Sequence, residues 1–146
     1  MSSSPSAGKR RGARWRSLLA DLFVLDASAL LALMRNEKGA AVVSASLPMA
    51  VIGTVNLAEV QAKLVSAGLS EQEAWWHIAE VGCATVPFDE EQARIAGGLV
   101  RITRPYGLSL GDRACLALAI LRKATVYTAD KEWARLGLDL KIEMIR

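Results

Sequence analysis

Histidine is almost missing from this chain. His77, in Trp75-Trp76-His77, is the only one, and no Ser-His-Asp set can be assembled around it. It is expected on a helix surface or at an interface. Cysteine is nearly as scarce. Cys83 and Cys115 make no disulfide framework, and neither has a second Cys or a His at metal-ligand spacing, which argues against zinc. Both lie in apolar sequence and read as buried thiols, as suits a reducing cytoplasm. There is no glycine-rich phosphate loop. There is also no long unbroken apolar run. Basic residues 9–16 followed by Leu18 to Met34 imitate a secretory leader, but Asp21 and Asp26 interrupt the run. A central Asp costs roughly 2.5–3.5 kcal/mol on insertion, and no Ala-x-Ala-like site sits in a plausible place after Met34. Neither a signal peptide nor a membrane span is expected, and the reading is cytoplasmic.

What is present is one domain's worth of chain: 146 residues, 52% apolar and 23% charged. The net charge of +3 is unevenly placed. Residues 1–20 carry Lys9, Arg10, Arg11, Arg14 and Arg16 with no acid, and the rest of the chain is mildly acidic. The division is therefore a basic tail, 1–20, and a folded domain, 21–146. A Ser/Gly/Arg-rich tail buries too little apolar surface to order itself. It could touch nucleic-acid phosphates, or be foreign to the domain.

Short apolar runs alternate with helical patterns. Strands are expected at 22–25, 50–53, 83–86, 125–127 and 141–144. Helices are expected from Ala27 to Leu33, Gly39 to Ser46, Asn56 to Ser66, after Ser70, from Asp89 to about Ile102, and from Gly111 to Lys123. Ser70-Glu71-Gln72-Glu73 has the form of a capping box, and Arg104-Pro105-Tyr106-Gly107 of a loop. Alternation of this kind predicts an α/β fold: a three-layer α/β/α domain around a parallel sheet of four to five strands. The strands are apolar throughout, as strands covered on both faces are.

Four acids stand at the ends of these elements. Asp26 follows Leu22-Phe23-Val24-Leu25, and Asp130 ends Val126-Tyr127-Thr128-Ala129-Asp130. Glu59 lies early in the third helix, and Asp112 in the first turn of the Gly111 helix. A parallel sheet binds ligands beyond its strands' carboxyl ends, so all four can meet in one crevice. Carboxylates in apolar sequence are costly to desolvate without a positive partner, and a hard divalent cation is one such partner. Each acid also has a purely structural explanation. Asp26 could cap a helix, Glu59 could pair with Lys63, Asp112 could favour a helix N-terminus, and Asp130 could serve a turn.

Taken in order, Asp26-Ala27-Ser28, Thr54-x-Asn56-x-x-Glu59, Leu110-Gly111-Asp112-Arg113 and Thr128-Ala129-Asp130 resemble the PIN-domain ribonucleases. Within them the pattern most resembles the VapC toxins of toxin–antitoxin pairs, from about Phe23 to the C-terminus. The resemblance implies that Asp26, Glu59, Asp112 and Asp130 are catalytic and hold Mg²⁺, or Mn²⁺, for hydrolysis of RNA by activated water. It gives supporting places to Ser28 and Thr128 near Asp26, to Asn56 one turn before Glu59, and to Arg113, as a phosphate contact or a neutraliser of Asp112. Glu37 is a weaker candidate for the site. A cognate antitoxin and a homodimer are the implied partners. Trp75 and Trp76 are expected to pack partly in the core and partly against a partner, with the segment from Asn56 to Ile78 forming the antitoxin groove. Arg94, Arg101 and Arg104 are spaced for one helical face, solvated or on RNA. With two Phe and two Tyr there are few stacking platforms for bases. Two other classes compete: a phosphate-accepting signalling domain, and an inactive RNA- or protein-binding PIN-like module. The first needs an acidic pair before its acceptor and a distal Lys after a late strand, and neither Asp21 nor Lys131 fits.

Overall fold

A computed structural model describes residues 22–146; the basic segment 1–20 and Asp21 lie outside the described residues. β1 (Phe23–Leu25) leads into α1 (Ala27–Met34) and α2 (Ala40–Ser46). β2 (Ala50–Gly53) leads into the pair α3 (Thr54–Ser66) and α4 (Glu71–Val81). β3 (Ala84–Val86) is followed by α5 (Glu90–Gly98) and α6 (Val100–Thr103). α7 (Leu110–Arg122), β4 (Thr125–Thr128) and β5 (Ile142–Met144) complete the chain.

The five strands make one parallel sheet in the order β3-β2-β1-β4-β5. β1 is central, and its short apolar run is explained by burial on both faces. Val24 and Val126 turn to one side, where Leu116, Leu118 and Trp133 cover them. Leu25 and Tyr127 turn to the other, against Ala29, Val43 and Ile145. Ile52 continues that side against Leu30, Leu57, Val60 and Ile78. Each such side chain, fully buried, contributes about 1.5–3 kcal/mol. This is the expected three-layer α/β/α arrangement.

Some expectations need correction. β3 is not a covered strand: Ala84 and Thr85 are exposed, because β3 pairs only with β2 and forms the sheet's edge. The helix expected from Asp89 to Ile102 breaks at Leu99. Gly97-Gly98 supplies the break, since glycine loses more backbone entropy in a helix than any other residue. Arg94 thus stands on a different helix from Arg101, and Arg104 opens a 3₁₀ turn, Arg104–Tyr106, where a loop was expected. Ser70 caps α4 by accepting from Glu73 N, but exposed Glu73 returns no bond. The complete capping box is at Ser109 and Asp112 instead. Trp75 and Trp76 are both exposed. The buried face of α4 is made by Ala74 and Ile78. Cys115 is buried as expected, whereas Cys83 is only half-buried. Glu37 pairs with Arg146 at 3.0 Å, tying the α1–α2 loop to the C-terminal segment.

Candidate functional site

Strand order reverses at β1, which has β2 on one side and β4 on the other. A crevice therefore opens beyond the carboxyl ends of β1 and β4. Asp26 lies at its floor. Its extended backbone makes it the N-cap of α1, with Oδ1 accepting from Ala29 N at 2.8 Å. Ser28 Oγ donates to the same oxygen at 2.7 Å. Thr128, the last residue of β4, donates from Oγ1 to Oδ2 at 2.5 Å. Asp26 is thus a cap and something more, because an N-cap needs only one of these bonds. The hydroxyls are held in turn: Ala129 N donates to Ser28 Oγ at 2.9 Å, and Asp130 N to Thr128 Oγ1 at 3.0 Å.

Burial dominates the electrostatics. Desolvation raises the Asp26 pKa from 3.8 to about 6, despite the lowering effect of its three hydrogen bonds. The Asp112 carboxylate adds a smaller upward push. Glu59, half-buried on α3, is raised by burial and by Asp112, against the opposing pull of Asn56 and the more distant Lys63. Beneath them lies the wholly buried thiol of Cys115. Burial raises its pKa, and Asp26, Asp112 and Glu59 all raise it further. Three of the four sequence-derived acids, carried by β1–α1, α3 and α7, therefore share one field.

Asn56 links two of these elements. It is 1% exposed, and its Nδ2 donates to Glu59 Oε1 and to Gly111 O, both at 3.0 Å. Asp112 Oδ2 accepts from Ser109 N, closing the capping box of α7. Asp130 is set apart. It is exposed, its Oδ1 accepts from Glu132 N, and it reaches the other acids only through Thr128. Arg113 points away: its Nη1 donates to Ala96 O at 2.9 Å, and no ion pair with Asp112 forms among the described residues. A carbonyl of α5, rather than the Asp112 carboxylate, holds the guanidinium. Sequence reasoning read Cys115 only as a buried thiol and missed that it lies within the field of Asp26, Asp112 and Glu59. Its place five residues after Leu110, one turn beyond Asp112 in a helix with a long buried face, was the available signal.

The donor set suits a hard cation. All the side-chain donors are oxygens, and a positive ion would relieve both the burial of Asp26 and the mutual repulsion of the acids. Among the described residues no three Asp, Glu, His or Cys side chains are gathered tightly enough to hold an ion outright. An ion bound by one or two carboxylates and several waters, the usual habit of Mg²⁺, makes no such demand.

Residues 23–138 match the PIN-domain family, and the chain belongs to it. Among solved structures it is similar to the DNA-bound VapBC complex of Salmonella typhimurium, with a TM-score of 0.68 and 15% identity. That match covers 86% of this chain and 99% of the other. It is also similar to VapBC2 of Rickettsia felis bound to a promoter DNA fragment (TM-score 0.65, 18% identity, 84% and 98% covered). A third is VapBC-5 of Mycobacterium tuberculosis (TM-score 0.59, 24% identity, 87% and 98% covered). At these identities the likeness is one of fold. No curated protein matches the chain.

Proposed function

We propose that this PIN-domain protein is a metal-dependent endoribonuclease, the toxin of a toxin–antitoxin pair. The observation that carries the reading is the shared field of Asp26, Glu59 and Asp112 at the sheet's switch point, with Asp26 held ionisable by two hydroxyls and a backbone N–H. Mg²⁺ or Mn²⁺ bound there, with Asp26, Glu59 and Asp112 as holders and Asp130 at the rim, would supply an activated water and a clamp on the phosphate. The chain's own contribution is orientation. Ser28 and Thr128 fix both oxygens of Asp26, and Asn56 fixes one oxygen of Glu59. The solved relatives named as toxin–antitoxin complexes support an antitoxin partner for this chain as well.

The test is cleavage of RNA by purified protein freed of any antitoxin. Activity should require Mg²⁺ or Mn²⁺ and vanish in EDTA. Products should carry 5′-phosphate and 3′-hydroxyl ends, because attack by water needs no 2′-OH. Undiminished cleavage in EDTA, or 2′,3′-cyclic phosphate ends, would refute the metal mechanism.

A further inference from the structure

Gly111 is the second residue of α7, in its first turn, and is buried. Glycine there is unfavourable relative to alanine, because it loses more backbone freedom. Its φ is not positive, so the backbone does not require it. Open space does not explain it either. At Gly97 and Gly98 a β-carbon would meet nothing within 4 Å. At Gly111 a β-carbon would overlap Glu59 Oε1, lying 2.6 Å from Cδ and 3.1 Å from Oε2. The carboxylate of Glu59 thus occupies the volume a side chain at 111 would take. Asn56 closes the arrangement by donating to both Glu59 Oε1 and Gly111 O.

We propose that Gly111 is a positioning residue: the missing side chain forms the seat of the Glu59 carboxylate and holds it beside Asp112. The proposal rests on the nuclease reading for its functional meaning and on the contact geometry for its structural one. Any side chain at 111 turns Glu59 outward and separates it from Asn56. The helix would gain from the substitution while the cluster of acids loses a member.

Two measurements test this on the full chain. The first is thermal unfolding of four proteins: wild type, G111A, E59A and the double variant. Alanine should raise the melting temperature in the E59A background, where the seat is empty. With Glu59 present it should leave the temperature unchanged or lower it. An equal rise in both backgrounds would overturn the seat. The second is Mn²⁺ binding followed by electron paramagnetic resonance. G111A should weaken binding about 10- to 100-fold, the usual effect of removing a partner that orients a metal ligand. Glu59→Asp, weakening alone, should recover part of the affinity when combined with G111A, because a shorter acid needs less room. Affinity within twofold of wild type in G111A would overturn the positioning role. A wild-type protein that binds no Mn²⁺ would instead refute the nuclease reading, and the melting temperatures would still decide the seat.

Discussion

Asp26 carries a cost that the fold accepts at the place where chemistry is proposed. Its folded-state pKa is raised from 3.8 to about 6, so the folded protein holds the proton more tightly than the unfolded chain does. The associated stability is fully present below about pH 4 and is lost as pH rises through about 6. Two pKa units correspond to about 3 kcal/mol. Metal-free protein should therefore lose stability between pH 4 and 6.5 in step with this group, and added Mg²⁺ should restore it at pH 7.5. Asp26→Asn keeps the shape and removes the charge. Its unfolding curve should lack this pH dependence, and its metal-free melting temperature at pH 7.5 should lie several degrees above wild type. The same variant should neither cleave RNA nor arrest growth. A folded D26N protein, by circular dichroism, that retains full toxicity would mean that Asp26 is a helix cap and nothing else. Its position was legible in the sequence, because an acid after a buried apolar run has few uses. Its hydrogen bond to Thr128, 102 residues away, was not: only the register of β1 against β4 brings them together.

At the scale of the element, α4 shows what a linear reading resolves poorly. Trp75 and Trp76 are the largest apolar groups in their segment, and the sequence reading placed them partly in the core and partly against a partner. The helix buries Ala74 and Ile78 instead, four residues apart on one face, and leaves the tryptophans 50% and 59% exposed. They line an open groove of about 670 Å³ together with Gln61, Glu71, Gln72 and Ala79. Two neighbouring indoles facing water suit a partner, since aromatics are enriched in interface cores. Hydrogen exchange in residues 56–78 should slow when the cognate antitoxin is co-expressed. Replacing both tryptophans by Ala should weaken that complex without lowering the melting temperature. Tight binding with unchanged exchange there would place the groove elsewhere. Arg113 illustrates the same limit. Its partner is the carbonyl of Ala96 on α5, near the end that Gly97-Gly98 breaks, and nothing beside Arg113 in sequence announces it.

The whole molecule is organised around β1, the first strand and the middle one. It pairs with β2 early in the chain and with β4 near its end. The layering was legible because strands covered on both faces are apolar at every position. The exposed β3 was not, since an edge strand can share that composition. A chain ending at Lys123 retains α1 to α7 but lacks β4, β5 and the 3₁₀ turn Lys131–Arg135 that carries the buried Trp133. Val24, Leu25 and Asp26 then lose the strand that covers one flank, and such a chain should show no cooperative unfolding by circular dichroism.

That arrangement has a consequence for biosynthesis. Thr128, which completes the hold on Asp26, is made 102 residues after it. A growing polypeptide on the ribosome carries Asp26, Glu59 and Asp112 long before it can lock them, and domains close only once their distant contacts exist. A polypeptide released before β4 is made would carry these acids without the hydroxyl that holds the second oxygen of Asp26.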